Sequence, residues 1–168
     1  MAVGITRAVR IVCVMLFAAT ALTTTPAFAA EATAMTHSMK LTYTRLYTGP
    51  DGVSHFADEE LLLSPRGTEG FDAALAVSRI GDVQGATFAS LKAGTTEDWH
   101  TAPRRQLMVC LRGIVEITAA DGEKRRMTPG QFMLLEDTSG KGHITHAAGA
   151  EDHVALAVPV PETFPGKT

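Results

Sequence analysis

Two histidines in the second half of the chain lie in short segments whose side chains could do chemistry. The segment Gly94 to Gly113 reads GTTEDWHTAPRRQLMVCLRG and contains His100 and Gln106, and His143 ends a run that reads GKGH. Neutral imidazoles with carboxylate or water oxygens suit iron, manganese, zinc or nickel, and open positions on such a metal accept a substrate or dioxygen. The alternative is that both histidines are hydrogen-bonded polar residues lining a pocket without a metal.

Strand alternation indicates which of these groups share a face. Alternate side chains of a strand point the same way, so His100, Arg104 and Gln106 project together if one strand continues through Pro103. His143 belongs to a strand near the other end of the domain. Only closure of the sheet would therefore bring His143 beside His100.

The other histidines are expected to lie outside this pocket. His146 is three residues beyond His143 and so on the opposite face of the same strand, which makes it a poor co-ligand. His37, His55 and His153 have no comparable sequence context, and we expect them at the surface.

The basic pair at positions 104 and 105 is the next chemical feature. If Arg104 points inward with Gln106, its planar guanidinium offers a bidentate grip on a carboxylate, which predicts a small acidic ligand. The alternative is an internal salt bridge from Arg104 to Glu136 or Asp137, carboxylates that could otherwise contact a ligand or complete a metal site. Trp99 is expected either to line the mouth of the pocket or simply to pack.

The composition limits the class of protein. The chain has 168 residues, 45% of them hydrophobic and 20% charged, which is ordinary for one globular domain with a hydrophobic core. Its formal net charge is −3, and it has no basic patch of the kind that nucleic-acid-binding proteins carry. We therefore expect a small molecule, and no nucleic acid, as its partner.

The first residues have the pattern of a secretory signal peptide. Arg7 and Arg10 precede an apolar run over residues 11–22, and Ala27-Phe28-Ala29 is a small-x-small cleavage site, so the mature chain would begin near Ala30. The alternative is a membrane anchor, but the apolar run is shorter than the roughly 20 residues that a spanning helix needs. We expect a secreted or periplasmic protein with no membrane span after cleavage.

Cleavage would change the cysteine content and the charge. It would remove Cys13 and leave only Cys110, so no intramolecular disulfide could form. It would also remove two of the fifteen basic residues, which lowers the net charge from −3 to −5. The stability of the mature protein would then depend on its hydrophobic core.

The pattern of apolar runs and turns predicts mostly β structure. Lys40–Tyr47 and Val53–Leu63 read as strands, the second interrupted by its acidic residues, and the Ala-rich stretch 71–80 allows a short helix. Asp121-Gly122 and Thr128-Pro129-Gly130 read as turns. Regularly spaced apolar runs then indicate antiparallel strands of a sandwich or barrel, at Ala86–Leu91, Leu107–Leu111, Ile114–Thr118, Phe132–Leu135, His143–Thr145 and Val154–Val160.

Some of these strands are apolar on both faces, which predicts that something covers the outside of the barrel. Leu107, Val109 and Leu111 point one way, whereas Met108 and Cys110 point the other. The cover could be the N-terminal strands, a second subunit or both. We expect a homodimer, and the alternative is that residues 40–80 cover the strands alone.

The motif around His100 resembles the first motif of the cupin family: a glycine, five residues, His-x-His, three or four residues, Glu, six residues and a glycine. Gly94, His100, Gln106 and Gly113 fall in register with that spacing. Two of the metal ligands of the family are altered, since Ala102 stands where the second histidine belongs and Gln106 replaces the glutamate. The second motif is matched by the glycine-x-x-histidine of residues 140–143, and the resemblance covers residues 86–161.

The resemblance implies a fold class and a domain division. The fold would be all-β, an antiparallel double-stranded β-helix (a cupin or jelly-roll barrel) with extra N-terminal strands. With the signal peptide that its own pattern predicts at residues 1–29, the chain would have a lead-in and N-terminal strands packing on the barrel at residues 30–85. The cupin barrel would occupy residues 86–168. Iron, manganese, zinc or nickel, if bound, would be held by His100, Gln106 and His143.

Three functions are compatible with this pattern. The first is an exported, metal-dependent cupin oxygenase or isomerase that acts on a small, acidic organic molecule in the barrel. The second is a metal-free, non-catalytic cupin that binds a small ligand. The third is a structural protein of the cell envelope whose barrel is filled by side chains.

Overall fold

The computed structural model of the protein describes residues 37–83 and 85–165. The predicted signal peptide lies outside the described residues. No helix among the described residues is long and apolar enough to cross a bilayer. The elements are β1 (Met39–Thr48), β2 (Ser54–Pro65), α1 (Gly70–Ala74), β3 (Ala76–Val77), β4 (Thr87–Leu91), β5 (Thr96–His100), β6 (Gln106–Arg112), β7 (Ile114–Ala119), β8 (Lys124–Met127), β9 (Phe132–Glu136), β10 (His143–Ala148) and β11 (His153–Pro159).

Strands β4 to β11 form two four-stranded antiparallel arrays. One has the order β4-β11-β6-β9 and the other the order β5-β10-β7-β8. Residues of both arrays meet in one buried apolar cluster, which includes Cys110, Met133 and Leu135 from the first and Val115 and Ile117 from the second. This strand order is that of a jelly roll, so the predicted fold class is confirmed.

The N-terminal strands extend the first array. Strand β1 pairs in parallel with β9 and antiparallel with β2, and β3 pairs with the end of β2. The acidic residues 58–60 do not interrupt β2, because β1 pairs with it along its length and its alternate side chains lie in solvent. Leu46 and Phe56 contribute side chains to the cluster inside the barrel.

Two strands of the barrel were missed by the pattern of apolar runs. β5 reads TEDWH and β8 reads KRRM, and both lie at the edges of the second sheet, where most of their side chains are exposed. The continuous strand through Pro103 is also wrong, because β5 ends at His100 and β6 begins at Gln106. The intervening residues turn the chain from one sheet to the other.

The outer face of the larger sheet is covered at one end. A second buried cluster joins Tyr43, Leu107 and Leu134 on this face to Val160 and Phe164 of the C-terminal segment. Part of the predicted cover is thus supplied by the end of the chain, which the sequence pattern had not indicated. The cover does not reach the other end of β6.

Candidate ligand-binding site

The two histidines of the cupin-like motifs meet inside the barrel. β10 pairs antiparallel with β5, and His143 is the direct cross-strand partner of His100. The centroids of their rings are 4.3 Å apart. Closure of the sheet therefore brings the two imidazoles together, although 43 positions separate them in the sequence.

An irregularity in β5 adds a carboxylate to this pair. The register runs from His143–His100 to Thr145–Glu97, so three steps along β5 match two along β10. Such a bulge changes which side chains share a face, and both Glu97 and His100 line the barrel cavity. Oε2 of Glu97 lies 3.5 Å from Nε2 of His100. Strict alternation would have put Glu97 on the opposite face, so nothing in the sequence pattern pointed to it.

Hydrogen bonds hold both rings in one tautomer. Nδ1 of His143 donates to Oδ2 of Asp137 at 2.5 Å, and Nδ1 of His100 donates to the carbonyl oxygen of Asp98 at 2.7 Å. Because the acceptors require the proton on Nδ1, each neutral imidazole carries a lone pair on Nε2. The pair thus offers two nitrogen acceptors rather than two donors.

Asp137 is a buried polar residue behind His143. Its side chain is fully buried, and Oδ1 has no hydrogen-bond partner among the described residues. Leaving a buried carboxylate oxygen unpaired costs free energy. The hydrogen bond between Oδ2 and Nδ1 of His143 offsets part of that cost. Asp137 orients the imidazole from behind and does not line the cavity.

The cavity has a volume of about 340 Å³ and is mostly apolar. Gln106 is buried and lines the same cavity as the two histidines, and Ala102, at the position of the missing motif histidine, also lines the wall. The body of the cavity is formed largely by aliphatic side chains and thioethers, among them Met108, Val115, Ile117, Met127, Met133 and Leu135. No arginine or lysine from the described part of the chain lines it.

His153 is buried, which corrects the expectation that it lies at the surface. It begins β11, is only 8% exposed, and lines the cavity with Cys110, whose Sγ is 3.7 Å from its Nδ1. Burial lowers the pKa of the His153 imidazole and raises the pKa of the Cys110 thiol. Both groups are thus held in their neutral forms at neutral pH.

Several residues proposed from the sequence lie outside the cavity. Arg104 is exposed, and the internal salt bridge is made instead by Arg105, whose Nε is 2.6 Å from Oε1 of Glu136. Trp99 is partly exposed, and the ammonium group of Lys141 lies 3.9 Å from the centroid of its ring. Arg104 is exposed because it lies in the break between β5 and β6, where the strand alternation that would have turned it inward has ended.

The strand order and the histidines that meet inside the barrel define the class: the chain has a cupin-type jelly-roll fold. No family model and no curated protein matches the sequence.

Solved structures with similar folds include cupins. A cupin-2 conserved barrel domain protein from Salinispora arenicola is 18% identical with a TM-score of 0.38, and the match covers 46% of this chain and 63% of that one. An RmlC-like cupin family protein from Methanocaldococcus jannaschii is 15% identical with a TM-score of 0.40, over 51% of this chain and 75% of that one. A conserved protein of unknown function from Streptococcus pyogenes is 30% identical with a TM-score of 0.36, over 52% and 71%. Because these TM-scores are low, the assignment rests on the strand order.

Proposed function

We propose that the protein binds a small, largely apolar organic molecule in the barrel, with a polar head that donates hydrogen bonds to His100 and His143. The cavity of about 340 Å³ is within the usual range for small-molecule sites. A few polar groups converge at one end of an apolar wall, which is the arrangement that orients such ligands. The observation that carries the proposal is that His100 and His143 meet at the cavity wall with each Nδ1 hydrogen-bonded to an oxygen, which leaves each Nε2 for a ligand.

The polar end favours a neutral or cationic head over an acidic one. Two imidazole acceptors and the carboxylate of Glu97 attract a hydroxyl or ammonium group, and the Gln106 amide both donates and accepts. A carboxylate ligand would need a fixed positive charge, and Arg104, the residue expected to supply it, is exposed. The proposal thus departs from the acidic ligand that the sequence had suggested.

A matched set of ligands tests this assignment. Phenol, benzylamine and benzoate share one ring and differ in the head group, and a ligand at a hundred times its dissociation constant stabilises the folded state by about 2.7 kcal/mol. We expect phenol or benzylamine to raise the melting temperature of the purified protein and benzoate to leave it unchanged. A shift by benzoate alone would contradict the proposal.

Variants of three histidines locate the site. H100A and H143A should abolish the shift because each removes one acceptor. H146A is the control, since His146 lies on the same strand as His143 but outside the cavity, and its Nδ1 is bonded to Oγ1 of Thr96. Equal effects of all three substitutions would argue against binding at the paired histidines.

A metal-dependent reaction is the second candidate. Two ligands of one divalent cation at about 2.1 Å stand roughly 3.4 Å apart in tetrahedral geometry, close to the 3.5 Å between Glu97 and His100. His100 and Glu97 are thus spaced like two ligands of one transition metal, and His143 would be the third, with Gln106 lining the same cavity. The described residues contain no preassembled group of three or more His, Cys, Asp or Glu ligands. Such a metal would act as a Lewis acid toward a bound substrate.

Elemental analysis decides between the two candidates. The metal candidate predicts one equivalent of iron, manganese, zinc or nickel in the purified protein, and its loss in H100A and H143A but not in H146A. Protein that remains metal-free after refolding with each of these ions in turn would rule the metal candidate out.

A further inference from the structure

The strands with an open edge in the described part of the chain differ in how they discourage pairing with another chain. β2, which β3 covers only at Ser64 and Pro65, carries the acidic residues 58–60 along its edge. β3 has only two residues, β5 carries Glu97 and Asp98 together with the bulge, and β8 is the basic segment KRRM. Short length, charges and bulges are the usual means by which proteins protect open edges. β4, the edge of the seven-stranded sheet, reads TFASL and has none of them.

The face beside β4 is apolar and uncovered. Phe88 on β4 is 74% exposed. It pairs across the strands with Leu156 on β11, which in turn pairs with Val109 on β6, so the three side chains lie side by side on one face. Leu111, further along β6, is 45% exposed. These four residues, which we call the β4 patch, lie on the part of the outer face that the C-terminal segment leaves open.

We propose that β4 is the surface through which two copies of this chain associate, by antiparallel pairing of β4 with the β4 of a second copy. A strand edge presents a row of unpaired N–H and C=O groups, and two identical edges related by a two-fold axis satisfy one another. The pairing joins the two seven-stranded sheets into one continuous sheet.

The side-chain pattern agrees with this arrangement. Directly opposed residues in an antiparallel pair share a face, so two-fold pairing places Phe88 of one copy opposite Phe88 or Ser90 of the other, on the outer face of both. A fully buried aromatic side chain removes about 150–250 Å² from solvent, so the two Phe88 rings, each 74% exposed, supply at most about 300 Å² of apolar contact. The paired strand backbones add to this area.

Charge also favours a second copy over a charged partner. β4 contains no ionisable residue, so its burial against an identical strand desolvates no charge. The interface is nevertheless small compared with a standard one of about 1,600 Å², which places the dimer among the weaker associations. β4 also contributes Ala89, Ser90 and Leu91 to the cavity lining, so the second copy would stand beside the ligand site.

Sedimentation equilibrium of the full chain tests the proposal, with a pair of matched variants. We expect a concentration-dependent dimer, and F88K should raise its dissociation constant about 30-fold or more, since it removes a central aromatic contact and sets two like charges close together. F71K is the control, because Phe71 on α1 is also 74% exposed and lies away from β4. It should leave the dissociation constant unchanged.

Hydrogen exchange gives an independent readout. The amides of β4 should become more protected as the protein concentration rises in the wild type and in F71K, and stay unprotected in F88K. A single-chain mass at the highest soluble concentration would overturn the proposal, as would a dimer that F88K weakens no more than F71K does. Circular dichroism of F88K checks that the variant is folded, which the exposure of Phe88 leads us to expect.

Discussion

The hydrogen bond from His143 to Asp137 sets the chemistry of the cavity at the level of single residues. The carboxylate accepts from Nδ1 at 2.5 Å and thereby leaves the Nε2 lone pair for a ligand or a metal. Without this acceptor the imidazole could reverse its tautomer and turn from acceptor to donor. Asp137 is thus a positioning residue for the site.

Replacing Asp137 by alanine tests this role. D137A leaves the buried Nδ1–H of His143 without an acceptor, so the free energy of unfolding should fall by about 1–3 kcal/mol in urea denaturation. D72A is the control, because Asp72 makes an exposed ion pair with Arg66 and its loss should cost less than about 1 kcal/mol. Nitrogen NMR of His143 should show a mixed tautomer in D137A, and an unchanged Nδ1–H tautomer would contradict the assignment.

His153 predicts how stability depends on pH. In the unfolded chain its imidazole takes up a proton below about pH 6.5, whereas burial lowers its pKa in the folded protein. Between the two pKa values the unfolded state binds more protons, so stability is lost as the pH falls through this window.

Denaturant midpoints measured between neutral and mildly acidic pH should therefore fall less steeply in H153Q than in the wild type. The exposed His37 provides the control, and H37Q should keep the wild-type slope. An equal slope in H153Q and the wild type would mean that this imidazole is not linked to unfolding.

At the scale of elements, the turn before β10 determines whether the two histidines can meet. Gly142 has φ +73°, and a Cβ atom there would lie 2.0 Å from the carbonyl oxygen of His100. Only glycine allows the chain to pass so close to the end of β5. This close approach brings the start of β10 beside the end of β5, where His143 lies opposite His100.

G142A should therefore be severely destabilising. We expect a loss of about 3 kcal/mol or more in unfolding free energy, since backbone must move as well as adopt a strained conformation. Gly94 has a similar φ of +78° but open space around its would-be Cβ atom, so G94A should cost only about 1–2 kcal/mol. Similar losses in both variants would show that the close approach to His100 is unimportant.

At the scale of the whole molecule, the N-terminal segment predicts that the exported chain is shortened by cleavage. The charged, apolar and small-residue segments at the start of the chain predict cleavage before Ala30. Intact-mass measurement of the protein secreted by a bacterial host should show a chain lacking residues 1–29. A variant with Ala27 and Ala29 changed to leucine should stay uncleaved, whereas the mass of an uncleaved wild type would contradict the signal peptide.

Much of the barrel could be predicted from the sequence, because local alternation and turn residues act over a few positions. Apolar runs located six of the eight barrel strands, and Asp121-Gly122 and Thr128-Pro129-Gly130 form the turns that their residues favour. β5 and β8 were missed because their sequences are polar. Both strands lie at the edges of the second sheet, where most of their side chains are in solvent and need not be apolar.

The sequence by itself determined the strand pattern and the spacing of His100 and His143. The tertiary structure decided which side chains join them: the bulge in β5 brought Glu97 inward, the break before Gln106 left Arg104 in solvent, and packing against Cys110 buried His153. Register, bulges and burial depend on strands that are distant in the chain, and sequence spacing alone contains no information about those neighbours.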